Sequence, residues 1–239
     1  MEFRNLTACI AISAVERYPR MQDLGFFANR GTSLKICGVT VRSDAGKLAA
    51  MGVHAVGFNF WPLSKRFLDP RANPWMKELA GAILRVGVFV NEDSDLPYRL
   101  YGDGMIDVVQ LHGDETPERV GGFRKEGIPV IKAVGVRGVS DIEAAGSYGS
   151  DAVLLDAHAP QVFGGTGETF DWGLANAFRK RFPAVPMVLA GGITPGNAGQ
   201  AVSEVHPVAL DVASGAEISP GVKDFGKVAA LLEACVSQR

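Results

Sequence analysis

The residues best equipped for chemistry in this chain are polar side chains set singly into short apolar runs. Lys35 and Cys37 alternate with Leu34 and Ile36, and Gln110 and His112 alternate with Val109 and Leu111. Lys132, Asp156 and Asp211 stand among apolar neighbours in the same way. Successive side chains of a strand point to opposite faces, so each of these groups must reach a place that tolerates it. The C-terminal mouth of a β/α barrel, where loops build active sites, is such a place. Lysines and carboxylates are otherwise buried only when paired, and any one of these residues alone could be a satisfied ion pair. Six inward polar positions on five strands, beside the Cys37 thiol, are more than a purely structural interior needs to desolvate. Together they favour a ligand pocket.

Two glycine-bearing segments point to the kind of ligand. Ala190-Gly191-Gly192-Ile193-Thr194-Pro195 and Ala213-Ser214-Gly215-Ala216-Glu217 each follow an apolar run. Glycine lets backbone amides approach an anion closely, and the loops after strands seven and eight form the recurrent phosphate site of β/α barrels. A small phosphorylated molecule is the expected ligand. A third segment, Gly164-Gly165-Thr166-Gly167, reads as a flexible loop over the mouth.

Several classes are disfavoured. Cys9, Cys37 and Cys235 are too few and too scattered for a disulfide framework, and no cysteine or histidine cluster has zinc-ligand spacing, so no metal is expected. A reducing, cytoplasmic compartment fits best. A net charge of −2 gives no footprint for nucleic acid, and no apolar run approaches the ~18 residues of a membrane span. Residues 1–33 form an extension of unassigned role that lacks a secretory signal's apolar core.

The elements that must position these residues repeat from Leu34 onward, a short run rich in Val, Ile and Phe followed by a longer Ala- and charge-rich segment. Strands are expected over Leu34 to Gly38, Ala55 to Phe60, Val86 to Val90, Asp107 to Leu111, Pro129 to Val134, Ala152 to Asp156, Pro186 to Ala190 and Pro207 to Val212. Thr40 or Ser43 is expected to cap a first helix with Ala45, Leu48 and Ala49 inward and Gly52 as its stop. The last helix carries Phe225, Val228, Ala229, Leu232 and Cys235 or Val236 at helical spacing, which makes Cys235 a packing residue. Buried parallel strands separated by helices give an α/β fold, read as a single (β/α)8 TIM barrel over residues 34–239 with a non-barrel N-terminal extension. An open doubly wound sheet is the alternative. It would normally bring GxGxxG or a P-loop for a nucleotide, and neither is present.

In order along the chain, Lys35-Ile36-Cys37-Gly38-Val39-Thr40, Gly57-Phe58-Asn59-Phe60 with Ser64 and Arg66, and Val109-Gln110-Leu111-His112-Gly113 form a series with Leu154-Leu155-Asp156. It continues through Ala190-Gly191-Gly192-Ile193 to Asp211-Val212-Ala213-Ser214-Gly215, with Glu217, Ser219-Pro220-Gly221 and Lys223-Asp224 beyond. This series resembles the phosphoribosylanthranilate isomerases throughout residues 34–239. The resemblance implies an Amadori rearrangement of N-(5-phosphoribosyl)anthranilate to 1-(2-carboxyphenylamino)-1-deoxyribulose 5-phosphate in tryptophan biosynthesis, with no cofactor. It implies Cys37 as general base and Asp156 as general acid. Arg66 would hold the anthranilate carboxylate, with His112 and Asp211 lining the pocket and Gly191, Gly192, Ser214 and Gly215 receiving the phosphate. The partner is thus a small phosphosugar, with no nucleic acid and no membrane, and the protein is a monomer or homodimer.

The chain departs from that family at the insertion-like residues 158–163 and at Ala209 and Ala213, where glycine and serine are usual. The related aldose-ketose isomerase of histidine synthesis resembles a two-aspartate design, and Cys37 argues against it. A catalytically idle phosphosugar-binding barrel is the competing non-enzymatic reading.

Overall fold

A computed structural model describes residues 25–28, 31–157 and 170–236. The Gly164–Gly167 loop, residues 158–163 and most of the N-terminal extension lie outside the described residues. The apolar runs form β1 Ser33–Cys37, β2 Ala55–Asn59, β3 Leu84–Phe89, β4 Val108–Leu111, β5 Val130–Val136, β6 Ala152–Ala157, β7 Met187–Leu189 and β8 Ala209–Val212. All pair in parallel with their sequence neighbours, and β8 returns to β1 in the register Lys35 opposite Asp211, which closes an eight-stranded barrel.

Closure needs both faces of each strand covered. Leu34, Ile36, Val109, Leu111, Leu155 and Leu210 pack outward beneath the helices, whereas Ala55, Val86, Val108, Ile131, Leu154, Val188 and Ala209 fill the barrel. The outer layer comprises α2 Arg42–Ala50, α3 Leu96–Gly102, α4 Pro117–Lys125, α5 Val139–Ser147, α6 Trp172–Arg181, α7 Ala198–Val205 and α8 Phe225–Val236, whereas the short α1 Gly25–Ala28 sits against the barrel interior. Between β2 and β3 the regular helix gives way to a 3₁₀ helix, Pro74–Leu79, in a stretch that also holds Pro62 and Pro70. After β8 come a 3₁₀ turn, Ser214–Ala216, and the antiparallel pair β9 Glu217–Ser219 and β10 Val222–Lys223.

Two local expectations are revised. The N-cap of α2 is Val41 without a side-chain cap bond. Thr40 instead donates its hydroxyl to the Gly221 carbonyl at 3.0 Å, and Ser43 is exposed. In α8 the buried stripe is Val228, Leu231 and Cys235. At 100° per residue its centre lies on the Leu231 side of Val228, which turns Ala229 to solvent and leaves Val236 49% exposed. The described part of the extension touches the barrel. Phe26 belongs to the interior cluster, and Ser33 Oγ donates to the Phe26 carbonyl at 2.7 Å.

Candidate active site

Strand alternation carries Lys35 and Cys37 inward from β1, Gln110 and His112 from β4 and the residue after it, Asp156 from β6 and Asp211 from β8. Cys37, His112, Asp156 and Asp211 line one pocket at the C-terminal mouth, together with Arg66, Gly191, Gly192 and Ser214, around about 630 Å³ of open space. Asn59, Ser64, Val88 and Ala213 complete parts of the wall.

Lys35 lies below, fully buried, with Nζ 2.8 Å from Asp211 Oδ1. Across from them, a β-carbon at Gly57 would lie 2.7 Å from Cys37 Sγ and 3.2 Å from Lys35 Nζ. Glycine on β2 therefore makes room for the thiol and the ammonium together. Burial pushes the Cys37 thiol above its ordinary range and Asp211 adds to that, while Lys35 and Lys223 pull the other way. Burial alone would lower the Lys35 ammonium, but Asp211 and Cys37 outweigh it and hold the group above its usual value. The resting form is a neutral thiol beside a compact ion pair.

Thiolate is the alkylating species. Carboxamidomethylation of Cys37 should therefore be slow near neutrality and climb about tenfold per pH unit, still rising at pH ~9. Cys235, whose thiol burial pushes up to about 12, should stay unlabelled until the chain unfolds. Peptide-resolved mass spectrometry separates the two, and a labelling rate at Cys37 that levels off near pH 7 would contradict this electrostatic picture.

Asp156, next to last in β6, sits in a two-sided cradle. Its Oδ1 accepts from the Ala157 N–H at 2.8 Å, and Oδ2 lies 3.2 Å from His112 Nε2. The Gln110 amide nitrogen is 3.0 Å from His112 Nδ1. An amide nitrogen only donates, so Nδ1 accepts and Nε2–H is left to donate to Asp156. The sequence offered Gln110 only as an inward polar residue, and its contact gives it a tautomer-setting position.

Lys132 is not part of this pocket. Ile131 and Ala133 occupy the interior, so the intervening side chain points toward the helices. There Nζ meets Glu115 Oε2 at 2.9 Å and the carbonyls of Gly113 at 2.6 Å and Ala133 at 3.0 Å. Its side chain is 1% exposed and that of Glu115 is 4% exposed, so the pair is structural. Lys132→Met strands the buried carboxylate and should cost about 3–5 kcal/mol of stability. Urea unfolding would read that loss, with kcat of the folded protein unchanged; a variant that is stable but slow would restore Lys132 to the site.

Arg66 reaches the pocket from the loop after β2. It lies across Gly38, whose φ of +70° suits glycine and where any β-carbon would overlap the Arg66 Cδ. Its Nε and Nη2 hold Glu217, at 2.9 Å to Oε1 and 2.6 Å to Oε2. Burial alone would lift the Glu217 carboxyl, but Arg66 and Lys223 hold it below the usual range. Sequence reading reached Glu217 and Lys223 only as letters in a motif, because nothing local marks a carboxylate whose arginine stands 151 positions away.

The glycine segments meet where the loops after β7 and β8 come together. Gly191 and Gly192 adopt φ of +81° and +60°, and Asn197 fixes their loop by donating to the Gly192 carbonyl at 2.9 Å and accepting from the Thr194 N–H at 2.8 Å. Among the described residues no protein acceptor meets the N–H groups of Gly192 or Ser214, which are free to receive an anion. Gly215 stands behind the cradle rather than in its lining. A β-carbon there would overlap the Ile193 carbonyl, so its part is to let the two loops touch.

Fold and site together define a (β/α)8-barrel whose mouth pairs a thiol and a carboxyl with an arginine on one wall and open backbone amides on another. Residues 34–234 match the family model for N-(5'-phosphoribosyl)anthranilate (PRA) isomerase. The isomerase of Citrifermentans bemidjiense is 43% identical over 202 residues, which cover 84% of this chain and 95% of that protein. Among solved structures, phosphoribosyl anthranilate isomerase from Thermotoga maritima superposes with a TM-score of 0.78 at 39% identity, covering 86% of this chain and 99% of that one. An isomerase in complex with reduced 1-(o-carboxyphenylamino)-1-deoxyribulose 5-phosphate gives 0.76 at 37% identity, covering 86% of this chain and 99% of that one. The chain belongs to the N-(5'-phosphoribosyl)anthranilate isomerase family.

Proposed function

We propose that this chain converts N-(5-phosphoribosyl)anthranilate to 1-(2-carboxyphenylamino)-1-deoxyribulose 5-phosphate by acid–base catalysis, serving tryptophan biosynthesis. The observation that carries the mechanism is that Cys37 and Asp156 open into the same pocket beside an anion cradle. Asp156 protonates the ring oxygen as its bond to C1 breaks, and the amine lone pair forms the C1=N bond of an open-chain iminium. The Cys37 thiol, neutral at rest, first gives its proton to solvent, and the thiolate then takes the proton from C2, whose bonding pair moves to give the enolamine. Proton return at C1 with loss of the C2 hydroxyl proton yields the ketone, so atoms and charge balance with no external oxidant or reductant.

The phosphate rests on the amides of Gly191, Gly192 and Ser214, with Gly215 holding the loops together. Arg66 receives the anthranilate carboxylate. Its Nε–Nη2 edge is taken by Glu217, which leaves the Nη1–Nη2 edge for a second carboxylate. His112 and Asp211 hold the acid and the base in place through Asp156 and Lys35. The ligand is a small phosphosugar. Among the described residues no helix is long and apolar enough to cross a membrane, and the free thiols of Cys37 and Cys235 fit a reducing, cytoplasmic setting. A relative from Thermotoga maritima is described as dimeric, and sedimentation of this chain would decide between monomer and homodimer.

Purified protein should abolish the fluorescence of phosphoribosylanthranilate with saturable kinetics. Binding of the substrate without turnover would leave a phosphosugar-binding barrel and overturn the assignment.

A further inference from the structure

We infer that Glu217 is a positioning residue that gives this site its selectivity for an aminosugar phosphate whose aromatic ring bears a carboxylate. The inference rests on the proposed role of Arg66 and adds to it the group that aims the guanidinium.

Glu217 follows β8 and Arg66 follows β2, so the pair bridges the mouth over the end of β1, where Cys37 stands. The carboxylate takes Arg66 side-on, with Nε at 2.9 and 3.1 Å from its two oxygens and Nη2 at 2.6 Å from Oε2. Oε1 also accepts from Lys223 Nζ at 2.6 Å and from the Gly221 N–H at 3.1 Å. Lys223 Nζ donates in turn to the Cys37 carbonyl at 2.6 Å. The Glu217 side chain is 3% exposed and that of Lys223 is 0% exposed, so this clamp is shielded from water, whereas Arg66 keeps 13% exposure on the pocket side.

Two consequences follow from the geometry. A side-on pair fixes the plane of a guanidinium and leaves its other edge as a preset fork for a planar anion. The charges also fail to cancel: Arg66 and Lys223 bring two positive charges against one carboxylate, and the remaining one faces the pocket. Without Glu217 the two cations repel each other, and nothing else among the described residues fixes the guanidinium plane. Glu217 itself does not line the pocket, so it acts through Arg66.

The test compares two substrates, N-(5-phosphoribosyl)anthranilate and its aniline counterpart, which has the same sugar phosphate and no ring carboxylate. The wild type, Arg66→Ala, Glu217→Gln and the double variant are measured on both. Wild type should prefer the carboxylated substrate in kcat/KM. Glu217→Gln should reduce that preference about tenfold or more, mainly through KM, the scale of a hydrogen bond to a charged group. It should reduce it little further once Arg66 is gone. A Glu217→Gln variant that slows both substrates equally, with the preference intact, would make Glu217 merely structural and overturn the inference. If Arg66→Ala leaves the preference intact, the assignment of Arg66 fails and the inference fails with it. Circular dichroism checks folding. Should Glu217→Gln not fold because Lys223 has lost its counter-charge, Glu217→Asp keeps that charge and withdraws from Arg66; the same fall in preference is expected, and an unchanged preference overturns the inference.

Discussion

Asp156→Asn is expected to lower kcat by about 10²- to 10⁴-fold, the range of a lost general acid, while product analogue still binds. The substitution preserves size but leaves no acidic proton to give the ring oxygen. It also disturbs the local hydrogen bonds in a definite way. The Asp156 oxygens now face two donors, the Ala157 N–H and His112 Nε2–H. An asparagine can offer its oxygen to only one of them and must point its own NH2 at the other. Exchanging the His112 tautomer to help would require the Gln110 amide, whose nitrogen faces Nδ1, to turn over with it. The phosphate cradle and Arg66 are untouched, so affinity for the reduced product analogue, measured by titration calorimetry, should change by less than about tenfold, or 1.4 kcal/mol. An Asp156→Asn variant within a few-fold of wild-type kcat would remove Asp156 from the chemistry.

Cys37→Ala should be as severe, again about 10²- to 10⁴-fold in kcat, because no other group on β1 can take the C2 proton. Lys35 is the nearest alternative, but its ammonium is held charged by Asp211 at 2.8 Å and cannot accept. Removing the thiol leaves that ion pair and the Gly57 gap in place, so the fold should persist. The sharper readout is isotopic. With substrate deuterated at C2, wild type should show a primary isotope effect on proton abstraction wherever that step limits turnover, and in D2O it should return solvent deuterium to C1. Cys37→Ala should fail at that step, leaving unreacted substrate with its C2 label intact. Retained turnover would place the base elsewhere.

Much of this architecture is legible in the sequence because buried parallel strands announce themselves as apolar runs, and eight of them in order leave few topologies. Residue alternation likewise brought Lys35, Cys37, Gln110, His112, Asp156 and Asp211 to one interior. It failed at Lys132. Parity says which residues share a face but not which face is inside, and in β5 the flanking Ile131 and Ala133 suit an interior layer as well as an outer one. The helix expected after β2 failed for a local reason, since Pro62 and Pro70 each remove a backbone donor and only Pro74–Leu79, which opens on a proline, turns helically. The roles of Glu217 and Lys223 were hidden for the opposite reason. Their meaning lies in partners that closure of the barrel supplies, Arg66 from the second strand's loop and the Cys37 carbonyl from the first. Gly215 was legible as a glycine needed for close approach, but the Ile193 carbonyl that comes so near it was not.

The most direct measurement is a crystal structure of this protein with the reduced product bound. The account predicts the phosphate on the amides of Gly191, Gly192 and Ser214, the ring carboxylate on the free edge of Arg66, and the pentose chain between two reacting groups. Cys37 Sγ and an Asp156 oxygen should each come within roughly 3–3.5 Å of the atoms they serve. A complex in which either side chain turns away from the sugar, or in which the phosphate binds elsewhere, would contradict it.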